Sequence, residues 1–193
     1  YTNTAAETTA VGALALYLNT GQRNAAFGYR ALYANTTAVE NAAFGSYAAQ
    51  SNTTGTKIAA FGEEALASNT TGSYNTAYGN RALYSNTTAD GNTAVGYQAA
   101  YSNTTGTRNA AFGIQALYSN VTGTDNTAIG RVALNANTAS ANTAVGSGSP
   151  GSYSAPLQEN TTGYRNTAVG VGSLCINTTG YSNTAMGMDS LYP

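Results

Sequence analysis

The chain has 193 residues, enough for one ordinary domain; 42% are hydrophobic, only 8% are charged, and the formal net charge is −1. That balance offers no basic field for nucleic acid or for an anionic membrane surface, and no run approaches the roughly 18 apolar residues of a membrane-spanning helix. The single cysteine, Cys175, rules out an internal disulfide and reads as a packed thiol, because other repeats carry tyrosine at its position.

From the N-terminus, the first regular feature is a glycine preceded two residues earlier by alanine. It falls at Gly12, Gly28, Gly45, Gly62, Gly79, Gly96, Gly113, Gly130, Gly146, Gly170 and Gly187. Most steps are 17 residues; two are 16 (Gly12 to Gly28, Gly130 to Gly146) and one is 24 (Gly146 to Gly170). The consensus is N-T-A-[V/F]-G-x-x-A-L-Y-S-N-T-T-G-x-x, as in "NTAVGYQAAYSNTTG" from Asn92. Such a unit is too short for a helical-hairpin repeat, and its Thr, Asn, Gly, Val, Tyr and Phe oppose helix.

Each unit therefore predicts a first strand, N-[T/A]-A-[V/F], and a corner at the glycine, which tolerates positive φ. A second strand, x-A-L-Y, and an S-N-T-T-G turn complete it. The fold class is all-β: a parallel β-solenoid of about eleven 17-residue coils. At ~4.8 Å per coil the rod would be about 50 Å long. Repeats occupy residues 1–146 and 159–193, and "SGSPGSYSAPLQ" (147–158) reads as a loop inserted in one coil. The array begins and stops part-way through a unit, so a segment of a longer repeat protein is expected. Tyr153, in the inserted loop, is a candidate ligand contact that could stack on a sugar.

The charges agree with this layout. Fourteen of the fifteen lie just before the first strand or within two residues after the glycine, where a charge stays in water; only Glu159 lies elsewhere. The first strand is apolar on both sides. Its alanine (Ala26, Ala43, Ala60, Ala94, Ala111) is followed by a large apolar residue (Phe27, Phe44, Phe61, Val95, Phe112). Neighbouring strand residues point to opposite faces, so both faces are expected to be buried, one of them cramped. Covering the outer face with another copy of the chain is the simplest solution; a distorted strand with both residues turned inward is the alternative. In register, the tyrosines (Tyr17, Tyr33, Tyr84, Tyr101, Tyr118, Tyr192) would stack. Two asparagine rows, Asn24 to Asn126 and Asn35 to Asn103, would form amide ladders.

The motifs "NTAIG", "NTAVG" and "NAAFG", each followed by A-L or A-A, resemble the head repeats of trimeric autotransporter adhesins. The longer units resemble repeats of phage tail-fibre and bacterial surface-fibre proteins. The resemblance covers essentially the whole chain, although the unit here is longer than in the adhesin heads and adds a tyrosine and an N-T-T turn. It implies a left-handed parallel β-roll and a homotrimeric fibre. It also implies an extracellular place, at a cell surface or on a virion tail, and contact with a cell-surface glycan or other receptor.

No catalytic residues, metal ligands or cofactor-binding motif are assigned. The acids are scattered singly except Glu63-Glu64, a solvated corner, and the phosphate-loop and dinucleotide fingerprints are absent despite 22 glycines. A non-enzymatic structural and adhesive fibre segment is expected. The alternative is an ice-binding or other surface-binding monomeric solenoid, against which the adjacent threonines of N-T-T count. The N-T-T triplets also match glycosylation sequons, although their regularity suits a structural turn.

Overall fold

A computed structural model describes residues 6–148 and 154–191. Eleven three-residue strands, from β1 (Thr9–Val11) and β2 (Ala25–Phe27) through β6 (Thr93–Val95) to β11 (Thr184–Met186), stack in chain order into one parallel sheet. Each pairs with the next in strict register, alanine opposite alanine, as in Ala26 with Ala43 and Ala94 with Ala111. The chain is thus a parallel β-solenoid, and the described residues contain no helix.

The corner at Gly28 explains its residue. Its φ is 136°, outside what an L side chain adopts, and an added Cβ would lie 2.5 Å from the carbonyl oxygen of Gly45 one coil on. The other corner glycines expected from the sequence behave alike, with φ between 113° at Gly187 and 146° at Gly146.

The second strand expected from the sequence is not there. Residues 28–35 form overlapping β-turns: the N–H of Ala31 donates to the carbonyl of Gly28 (3.3 Å), Tyr33 to Arg30 (3.2 Å) and Asn35 to Leu32 (3.2 Å). The first two turns have positive φ at their third residue, Arg30 (56°) and Leu32 (50°), the sign pattern of a type II turn. The remaining backbone groups bind along the rod: Arg30 N–H donates to Ala13 one coil back and Leu32 N–H to Ala48 one coil on, both at 3.0 Å. Each left-handed residue costs about 1–2 kcal/mol. The turn is nevertheless kept because it swings Ala31 and Leu32 into the core, where both are fully buried.

The core lies between the sheet and this turn ribbon. On the sheet side it holds only strand alanines, among them Ala26, Ala43, Ala60, Ala94 and Ala111, all fully buried. Alanine and leucine columns face them. Leu157, at the end of the span read as an insertion, belongs to this core. It is fully buried, and Leu134 N–H donates to the Pro156 carbonyl (3.2 Å), so residues 155–158 already restore the coil.

Two asparagine rows close the remaining corner. Asn103 Nδ2 donates to Asn86 Oδ1 (3.0 Å) and to the Gly106 carbonyl (2.9 Å). Asn92 Nδ2 reaches the same carbonyl (2.9 Å), while its Oδ1 accepts from Asn109 N–H (2.9 Å). Both short units lose their residue at this corner, which brings Asn19 and Asn24, and Asn137 and Asn142, five apart; the amides of these pairs bond at 3.1 and 3.0 Å, closer than the 3.3 and 3.5 Å of Asn41 with Asn35 and Asn109 with Asn103. At the second of these units the ladder breaks, leaving Asn120 Oδ1 buried with no hydrogen-bond partner. Ile58, also buried, interrupts the other row.

Candidate functional site

Alternation along the three-residue strands separates two surfaces. The alanine points in; the residues on either side of it point out. The expectation that both strand faces are buried therefore holds only for the inner one within a single chain, and the distorted-strand alternative does not occur. Phe27, Phe44, Phe61 and Val95 are half-buried on the outer face. Tyr78 is 61% exposed, Phe112 40%, Ile129 42% and Met186 72%. Phe27, Phe44 and Phe61 stack face to face, with centroids 4.6 and 4.8 Å apart. Beyond the corner glycines the exposed Tyr29, Tyr97, Ile114, Val171 and Met188 form a separate column on the flank of the strip.

Charge borders this strip without entering its main column. None of the charged side chains among the described residues is buried, and ion pairs link successive coils. Arg23 meets Glu40 at 2.6 Å, Arg81 meets Glu64 at 2.5 Å, and Arg108 forms two hydrogen bonds with Asp125 at 2.7 and 3.0 Å. The Arg108 hydrogen bonds hold the Asp125 carboxyl below the usual range. Among the described residues there is no cluster of three or more histidine, cysteine or acidic side chains that could hold a metal ion. Cys175 is buried, and desolvation raises its thiol pKa, which disfavours the thiolate.

The tyrosine column is broken into two stacks. Tyr17 lies on Tyr33 at 5.4 Å, and Tyr84, Tyr101 and Tyr118 follow at 5.1 and 5.2 Å. Gln50 and Ala67 separate the stacks; Tyr192 and Tyr153 lie outside the described residues.

The N-T-T corner is a structural turn, as its regularity suggests, but its threonines are not equivalent. Asn103, the sequon asparagine of its coil, is fully buried, as are Asn35, Asn52, Asn69, Asn86, Asn120 and Asn160. The first threonine is tied along the rod, Thr53 Oγ1 donating to the Thr70 carbonyl at 2.9 Å. The second is exposed, giving a column of Thr37, Thr54, Thr71, Thr88, Thr105 and Thr122. Gly106 is buried against Asn103, so Thr105 and Thr107 stand outward on either side of it. This alternating pair is invisible in a sequence read as N-T-T, because the inward residue is the following glycine.

No family model matches this chain, and neither a curated protein nor a solved structure matches it.

Proposed function

We propose that this chain is a segment of a non-enzymatic structural and adhesive fibre, of the phage tail-fibre or bacterial surface-adhesin kind. In this reading it lies outside the cell, self-associates as a parallel homotrimer and presents its flanks to cell-surface receptors. One observation carries the reading: the apolar column on the outer face of the parallel sheet, from Val11 (54% exposed) to Met186 (72%). An isolated soluble protein seldom leaves so long a strip wet. Copies set side by side around an axis parallel to the rod keep equal residues at equal heights, so one contact repeats at every coil. Sedimentation equilibrium tests this. A mass near three times 19.6 kDa is expected; a monomer at micromolar concentration overturns the trimer.

A second reading is favoured by the threonine corner. Outward pairs such as Thr105/Thr107 and Thr122/Thr124, repeated at ~4.8 Å, form a rigid hydroxyl and methyl lattice of the kind that could order water against ice. Asp90 interrupts that lattice, and Lys57 and Arg108 border it, which places this reading second. Thermal hysteresis in dilute solution would promote it, and its absence would remove it.

A further inference from the structure

Among the described residues, Arg30 is the cation most thoroughly enclosed by aromatic rings. Its guanidinium carbon lies 5.6 Å from the centre of the Tyr29 ring and 5.0 Å from that of Tyr33. Tyr33 is backed by Tyr17 in a parallel stack, and Tyr29 meets Tyr47 edge-on at 5.2 Å. The side chain leaves a left-handed backbone position whose N–H is tied to Ala13, so its root is fixed as well.

What Arg30 lacks is an anion. Arg23, Arg81 and Arg108 each meet an acid one coil away. The residues at the equivalent position in the coils on either side of Arg30 are Leu14 and Tyr47. Its Nε is buried without a hydrogen-bond partner, and the residue as a whole is half-buried. A half-buried guanidinium lying over two rings, with no acid paired to it, is organised for bidentate recognition of a planar carboxylate. The exposed Tyr29 beside it offers an aromatic surface to the body of a sugar.

We infer that Tyr29, Arg30, Tyr33 and Tyr47 form a binding site for a carboxylated pyranose, a uronic or sialic acid unit of an anionic glycan. The inference rests on the adhesive reading above, for which it names a ligand class and a place. Neutral sugars would lose the guanidinium contact, and simple carboxylates would lose the contact with the ring.

Calorimetric titration of the segment with an oligogalacturonate, the matching neutral oligosaccharide and acetate tests it. Binding of the acidic oligosaccharide is expected, with the neutral one and acetate each weaker by about tenfold or more. Arg30→Gln should lose about tenfold, and Arg30→Lys should fall between, since an ammonium keeps the charge but not the fork. Arg165→Gln, which removes an exposed arginine lying over Tyr164, should bind like the parent. Equal binding of acidic and neutral sugars, no binding at all, or an equal loss in both glutamine variants would overturn the site. Sedimentation and cell attachment of the same samples separate the two failures: a trimer that attaches to cells without this selectivity loses the site and keeps the adhesive reading.

Discussion

In one coil, Ala25-Ala26-Phe27 runs extended, while residues 28–35 turn back on themselves three times before the chain reaches Asn35. Both stretches contribute methyl-sized and larger apolar groups to one core, and both bond to the coils above and below. Their backbones obey opposite rules. The strand needs no unusual φ and uses alternation alone. The turn ribbon relies on left-handed residues with full side chains, Arg30 and Leu32 here, and recurs at Leu66, Leu83 and Leu117. A parallel stack can support either, because each coil copies the hydrogen bonding of its neighbour and the strain is held by the same contacts at every level.

The largest expected effect tests the junction between the two stretches. Gly96 has φ 132°, and a Cβ there would sit 2.7 Å from the carbonyl carbon and oxygen of Gly113. Gly96→Ala should cost about 3 kcal/mol, read as a shift of the urea midpoint. An unshifted midpoint would mean that the corner can open and that the two sides are not rigidly joined.

Next comes the amide ladder. Asn86 Nδ2 donates to Asn69 Oδ1 (2.8 Å), and its Oδ1 accepts from Asn103 (3.0 Å). Asn86→Ala strands buried polar groups on both sides of the gap and should cost about 2 kcal/mol. Asn120→Ala should cost measurably less, because the Oδ1 it removes already lacks a partner. Equal losses in the two variants would refute the ladder as a source of stability.

On the strand side, Ala94→Leu drives three extra carbons into a face lined by fully buried alanines and should cost about 1–3 kcal/mol. The neighbouring Val95→Leu points outward and should leave the melting temperature of the monomer nearly unchanged. Reversal of that order would mean that the inward and outward assignments are exchanged.

Much of this was legible beforehand. The period, the corner glycines, the cramped alanine column and the placement of charges follow from residue spacing, because a parallel stack forces equivalent residues into columns. The turn ribbon was not legible. Ala-Leu-Tyr carries strand propensity, and nothing local marks Leu32 as left-handed, since that conformation is imposed by the neighbouring coils. The outward Thr105/Thr107 pair was missed for a related reason: its phase is set by Gly106 packing on Asn103, a contact between the turn and the ladder. Ala155 to Gln158 were hidden because Pro156 stands where other coils have alanine, although Leu157 keeps the core position.

The smallest effect should have the opposite sign and tests left-handed strain outside the turn ribbon, at the corner that leads into the strand. Ala141 is exposed at φ 60°, just before the row of buried asparagines. Its methyl group contributes little burial and meets the left-handed penalty of about 1–2 kcal/mol. Ala141→Gly removes that penalty, but the extra freedom of glycine in the unfolded chain offsets about 0.5–1 kcal/mol of the gain. A net stabilisation of about 0.5 kcal/mol should remain, measured against Gly96→Ala in the same denaturant series. Opposite signs for these two exchanges of glycine and alanine would show that positive φ is forced on both residues but tolerated by a side chain at only one. A loss of stability in Ala141→Gly would show that the neighbouring coils remove the strain at Ala141, and positive φ would then carry no penalty at the corner before the strand.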